Sequence, residues 1–187
     1  MKLIQILTTG MLTLSLLAGG ALAETDKAGK QAEIRKATQT ALEKFYKTKP
    51  ALKGDVEKAP GYGVFTTYGL SFLVGGAGGK GLVHNAKTKT DTFMDMAQAS
   101  AGVQIGIAQS ETLIVFKSQK AMEEFIDKGW EFGGGGIAQA GAAGKSVGPA
   151  GGENLIADAS YFTLTKNGLQ AGGAVAGTKF WKDKELN

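Results

Sequence analysis

The sequence predicts an α+β fold: a curved or barrel-like, mostly antiparallel, glycine-rich sheet with an N-terminal amphipathic helix and one further helix. Three observations carry this. From Tyr62 onward the chain is a succession of short runs rich in β-branched and aromatic residues, many of them alternating, bounded by glycine. Before that, residues 28–48 hold an apolar stripe at helical spacing. Within the strand-like region, residues 118–128 interrupt the pattern with a second helical stripe.

At the start of the chain, Lys2 is the only charge in positions 1–23. An apolar stretch from Leu3 to Leu17 leads to small residues at Ala21 and Ala23 and to the first acid, Glu24. This describes a signal peptide over residues 1–23, cleaved after Ala23, with an uncleaved membrane anchor as the alternative. The apolar core is short for a span and carries Thr8, Thr9 and Gly10, which weighs against the anchor. The expected location is the periplasm or outside the cell. Residues 24–187 then read as a single domain of 164 residues, long enough for its own core. The chain has no cysteine, so disulfides, cysteine-based zinc sites and lipid attachment through cysteine are all excluded. One histidine cannot build a histidine-rich metal site.

In "AGKQAEIRKATQTALEKFYKT" (28–48), Ile34, Ala37, Ala41 and Phe45 recur at helical spacing, with Leu42 at the edge of the stripe. Lys36, Glu43 and Lys47 fall on the other side. The helix ends near Pro50, and a short helical turn fits 52–58. The stripe either packs on the domain, leaving the charges as a wet face, or inserts into a membrane. Strand-like runs follow at 62–76, 79–85, 90–109 and 111–117. Ser118 suits an N-cap for the helix over 118–128, where Ala121, Met122, Phe125 and Ile126 form the apolar face. After "WEF" (130–132), residues 136–153 are mostly Gly, Ala and Ser and read as a loop or flexible strand end. "KNG" at 166–168 sits between alternating strands and suits a hairpin turn. Twenty-nine glycines without a G-X-Y period, and three prolines, exclude collagen and suit a sharply curved sheet.

Three motifs invite enzymatic readings. "GGAGGKG" (75–81) contains G-x-G-x-x-G, but a dinucleotide loop must open a helix, and "LVHNAKTKTDTF" has no helical stripe. The expectation is a glycine-rich strand pair with this segment at its turn or bulge. "GAAGKS" (141–146) resembles a phosphate loop, yet Gln139 stands where its first glycine belongs, and "VGPAGG" breaks the helix that should follow. "GKSVG" (144–148) fits a nucleophile elbow, but Pro149, Gly151 and Gly152 oppose its helix. The only histidine, His84, also precedes Ser146 where that fold places it last. A pair of Ser146 with Lys145 or another lysine stays open. His84 reads as a surface strand or turn residue. Asp91 and Asp95 lie about 13 Å apart along a strand and read as solvated charges. No catalytic residue, metal ligand or cofactor is expected.

Charge is unevenly placed. Residues 24–58 hold nine Lys/Arg against six Asp/Glu, whereas residues 59–187 hold eleven of each. An excess of three is weak for nucleic acid, which an exported protein rarely meets. An anionic lipid surface is the better-placed partner. The candidate lipid-binding residues are Lys27, Lys30, Arg35, Lys36, Lys44, Lys47, Lys49 and Lys53.

Over residues 33–181 the chain resembles the SYLF family. "GYGVFTTYGLSFLVGGAGGKGLV" is similar to that family's opening strand and glycine-rich stretch. "AQASAGVQIGIAQSETLIVF", "SQKAMEEFIDKGWEFGGG" and "YFTLTKNGLQAGGAVAGTKF" are similar to its next strands, its helix and its closing hairpin, in that order. Thr66 replaces the usual proline, and 138–153 is longer than expected. The resemblance implies binding without catalysis, with affinity for phospholipid as the transferable part. It makes "GGAGGKG" a structural turn and supplies no agreed set of site residues. The expectation is an exported, non-enzymatic phospholipid-binding protein at the envelope membrane surface. The alternative is a structural or interaction component whose partners are envelope proteins or the cell wall.

Overall fold

The computed structural model describes residues 15–68, 76–99, 109–132, 158–165, 168–171 and 178–187. Helix α1 spans Ser15–Thr48 and α2 spans Ala51–Lys58. Strands β1 (Gly61–Tyr68), β2 (Gly76–Asn85), β3 (Thr90–Ala99) and β4 (Gln109–Phe116) follow. Helix α3 (Gln119–Lys128) leads to β5 (Trp130–Phe132), β6 (Ala159–Thr165), β7 (Gly168–Ala171) and β8 (Thr178–Lys182). The strands form one sheet in the order β5-β8-β3-β2-β1-β4-β6-β7, with every pairing antiparallel, and it curls into a half-barrel. The α+β class and curved antiparallel sheet read from the sequence are therefore correct.

Side-chain alternation gives the sheet two covered faces. On the inner face Phe65, Val83, Met94, Met96, Ile114, Phe116 and Phe180 meet Ala121, Met122 and Phe125 of α3. Phe125 is the hub: its ring centroid lies 4.6 Å from that of Trp130, 5.4 Å from Phe116 and Phe180, and 6.0 Å from Phe65. Such tilted and edge-on aromatic pairs add roughly 0.5–1.5 kcal/mol each beyond area burial. On the outer face Val64, Leu113, Val115 and Phe162 meet Ala41, Leu42 and Phe45 of α1 and Leu52 and Val56 of α2. A small third cluster joins Leu82, Phe93 and Leu186 to Ile34 of α1.

α3 begins where its cap predicts. Ser118 Oγ accepts from the Ala121 N–H at 3.2 Å, and Gly129 ends the helix at φ +68°, its N–H donating to Phe125 O at 2.9 Å. β6 and β7 pair antiparallel with Thr165 opposite Gly168, as a hairpin expected at "KNG" requires; residues 166–167 themselves lie outside the described residues.

The structure corrects two expectations and fills out a third. α1 starts at Ser15 rather than at residue 28, because the alanine- and leucine-containing segment before it continues the helix. The short helical turn expected over 52–58 is a helix of two turns, α2, so that two helices follow α1. After Pro50 breaks the chain, Leu52 and Val56, spaced four apart, bury as one face of α2. The "GGAGGKG" segment is no turn or bulge from Gly76 onward. It pairs with β3 in unbroken register from Gly76↔Ala99 to Asn85↔Thr90. Its glycines serve close approach instead. A Cβ on Gly81 would collide with the Val64 carbonyl and the Phe65 side chain, and one on Gly79 would lie 2.6 Å from Thr66 O.

Candidate functional site

The outer face carries the residues that the sequence singled out. α1 turns its stripe inward: Phe45 is fully buried, Ala41 and Leu42 are buried, and Ile34 packs on Leu82 and Phe93. Of the two readings of this helix, packing on the domain is the one observed. Its apolar side is not available to a membrane from Ile34 to Phe45.

The eight candidate cations divide by what they touch. Arg35 Nε donates to Asp91 Oδ2 at 2.8 Å, and its guanidinium lies 4.9 Å from the centre of the Phe93 ring. Lys44 donates to Glu111 of β4. Lys49 sits 5.3 Å over the Phe162 ring. Lys27 donates to the Asn187 backbone oxygen at 2.8 Å, Lys30 pairs with Asp26 at 2.7 Å, and Lys53 lies 4.0 Å from Glu57. Lys36 and Lys47 are exposed, and among the described residues their ammonium groups make no hydrogen bond or ion pair. The structure thus does not gather the eight into one cluster. Arg35, Lys44 and Lys49 fasten the helix to the sheet, while Lys36 and Lys47 face water.

Two carboxylate clips flank the helix. Asp91 Oδ1 lies 2.8 Å from His84 Nδ1, so Asp91 bridges the histidine of β2 and Arg35 of α1. Partial burial works to raise the Asp91 pKa, but hydrogen bonds from His84 and Arg35 outweigh it and hold the carboxyl below its ordinary value. In the second clip Lys80 Nζ donates to Asp95 at 2.7 Å and to Asp183 at 2.6 Å. Burial works to lower the Lys80 pKa, and the two carboxylates more than offset it. Asp183, which burial would raise, is held low by Lys80 and by the backbone N–H groups of Leu186 and Glu185. Asn187 completes this corner. Its side chain accepts from the Phe93 N–H at 3.0 Å and donates to the Phe93 carbonyl at 2.7 Å, as a neighbouring strand would.

This geometry answers the paired-carboxylate question. Asp91 and Asp95 are engaged in separate clips, each neutralised by its own cation. His84 is a half-buried strand residue, as expected, tilted against the Tyr62 ring at 5.3 Å. The "GAAGKS" and "GKSVG" segments, with Lys145 and Ser146, lie outside the described residues. Among the described residues no group of three or more His, Cys, Asp or Glu could hold a metal ion. No helix there is long and apolar enough to cross a membrane.

An open groove of about 380 Å³ lies beside the second clip. Lys80, Asp95 and Asp183 form its floor, and Trp181, Lys182, Lys184 and Glu185 complete its lining. Sequence reasoning missed this corner. Its signal was "TKFWKDK", in which a tryptophan falls on the polar side of an alternating strand.

Comparison with known proteins decides the family. The family model described as "Las17-binding protein actin regulator" matches residues 97–187, just under half of the chain. "Beta cell expansion factor A" of Aeromonas veronii is 30% identical over 169 residues, covering 86% of this chain and 60% of that protein. The chain is a SYLF-family protein. The human "SH3 domain-containing YSC84-like protein 1" is 29% identical over 142 residues, 71% of this SYLF protein and 40% of the relative. The yeast "LAS seventeen-binding protein 3" is 29% identical over 139 residues, 71% of this chain and 30% of its own length. The SYLF chain therefore spans 60% of the first of these relatives and 30–40% of the other two. None of these descriptions is of an enzyme.

Proposed function

We propose that this SYLF protein is exported and, without catalysis, binds phospholipid at the surface of the cell-envelope membrane. The family resemblance supports phospholipid affinity. The observation that carries the mode of binding is the orientation of α1: its stripe is spent on the sheet, and its outward side presents Lys36 and Lys47. Eleven residues apart, they fall within about 20° of each other around the helix and about 16 Å along it. Contact through this side is electrostatic, not insertional. Each cation near an anionic leaflet contributes about 1 kcal/mol, and the effect fades within about 8 Å at physiological salt. Glu43 lies between the two lysines and weakens the field.

The test is co-sedimentation with vesicles. Binding is expected to be weak, stronger with anionic than zwitterionic lipid, and lost as salt rises. Changing Lys36 and Lys47 together to Gln lowers affinity about tenfold with the fold intact. Arg35 and Lys44 are unsuitable for this purpose, because both also anchor the helix.

The pairing of four of the eight candidate cations with carboxylates favours a second reading, a structural or protein-interaction component of the envelope. Absence of sedimentation with anionic vesicles at low salt selects that reading.

A further inference from the structure

Among the described residues, the outer face of the sheet is only partly covered. α1 lies over β1 and β2, and its lower half reaches the turn at residues 184–186. Across the neighbouring strands runs a row in which Trp181 of β8 pairs with Asp95 of β3, which pairs with Lys80 of β2. Two residues along β2 from Lys80, Gly78 is exposed, and a Cβ built there would meet nothing within 4 Å. Trp181 is the single exposed large hydrophobic residue among the described residues, with 39% of its surface open. Two aromatic residues near it in the fold, by contrast, are closed off: Trp130 is 5% exposed and Phe180, its sequence neighbour, 1%.

The charges around that indole balance in number, Lys80, Lys182 and Lys184 against Asp95, Asp183 and Glu185, but not in exposure: the three lysines are exposed, whereas Asp183 is buried and Asp95 half-buried. Lys80 is taken by Asp95 and Asp183. Lys182, Lys184 and Glu185 are the other charges of the groove lining. Gln31 of α1 donates to the Leu186 carbonyl at 2.7 Å, which sets this part of the helix beside the same groove. One side of the molecule thus combines an amphipathic ring with exposed ammonium groups. An indole with apolar body and N–H edge suits the boundary between headgroups and acyl chains, and flanking lysines suit the phosphates above it.

We infer that Trp181, with Lys182 and Lys184, is a membrane-contact patch at which the indole enters the headgroup–acyl boundary and the two ammonium groups meet lipid phosphates. This rests on the phospholipid reading above and names the part of the molecule that touches the bilayer. It also supplies the apolar contact that α1, with its stripe buried, lacks.

The chain has two tryptophans, so one measurement reads the patch directly. The protein is mixed with anionic vesicles carrying brominated acyl chains, and indole emission is followed beside co-sedimentation. Trp130 is inside the core and is not reached by the quencher. Emission is expected to shift to the blue and to be quenched in the wild type. In Trp181→Phe the remaining emission does not respond to bromine. Trp181→Ala, and separately Lys182→Gln with Lys184→Gln, each lower vesicle affinity about tenfold or more without changing the melting temperature. Sedimentation of the wild type with unquenched emission, and with Trp181→Ala binding equally well, overturns the patch and leaves the phospholipid reading standing. A wild type that fails to sediment with anionic vesicles at low salt removes that reading, and the patch with it.

Discussion

Lys44 of α1 donates to Glu111 of β4, a carboxylate whose side chain is only 8% exposed at the centre of the outer face. The lysine stays half in water, yet it is the cation recorded at that acid. Glu111 stands between Leu113 and Ser110 in a run that otherwise buries, so an anion there depends on the helix above it.

Removing the cation alone is therefore costly. Lys44→Met is expected to destabilise the protein by roughly 1–3 kcal/mol, below the full cost of breaking a buried pair because the lysine is half solvated. Combining it with Glu111→Leu returns most of the loss, since no orphaned carboxylate remains. Urea unfolding of the two variants checks this. A single variant as stable as the wild type would show that the helix docks without the pair.

The glycines of β2 separate close approach from looseness. Gly81→Ala places a methyl against the Val64 carbonyl and Phe65, and overpacking of that kind costs roughly 1–3 kcal/mol. Gly78→Ala meets open space and is expected to change stability by about 0.5 kcal/mol or less. Thermal melts of the two variants side by side provide the check. Equal losses would mean that backbone entropy, not contact, explains both positions.

Local features were legible in the sequence because they are short-range. The Ser118 cap, the α3 stripe and the turn ending at Gly168 each depend on a few adjacent residues. The stripe of α1 was legible too, but its destination was not. Whether Ile34 to Phe45 met lipid or a sheet depended on β1, β2 and β4 reaching the same place. Likewise the partners of Arg35 and Lys44 lie 56 and 67 residues away. Antiparallel register sets which charges oppose each other, and nothing local in "GGAGGKG" fixed that register. The exposure of Trp181 follows from β8 joining β3 beyond the reach of α1, a crossover that no spacing encodes.

The two carboxylate clips make stability depend on pH at both extremes. Asp91 and Asp183 titrate below 3.8 in the folded protein, so their contribution is present above 3.8 and is lost as pH falls through the lower, folded values. Lys80 titrates above 10.5, so its contribution is complete below 10.5 and disappears as pH rises beyond that. Asp183→Asn keeps an oxygen for the Glu185 and Leu186 N–H groups but removes the charge facing Lys80. Its melting temperature is expected to fall less steeply than the wild type's below pH 3.8. Superimposable acid limbs would assign the acid sensitivity elsewhere.

Processing after Ala23 is expected to leave the fold intact. Among the described residues, the contacts recorded between α1 and the sheet or the C-terminal turn begin at Lys27, with Gln31, Ile34 and Arg35 next. A chain starting at Glu24 keeps all of them, together with the whole buried stripe from Ile34 to Phe45. Most helical stability in a protein comes from packing, and that packed stripe is retained. N-terminal sequencing of protein recovered from the envelope should read Glu24 first. The same chain, expressed directly from Glu24, should unfold within about 0.5 kcal/mol of the recovered protein. Recovery of chains that still carry Met1, held in the inner membrane, would make residues 1–23 an anchor. In that case the vesicle contacts proposed for α1 and for Trp181 would act on a protein already tethered to its membrane.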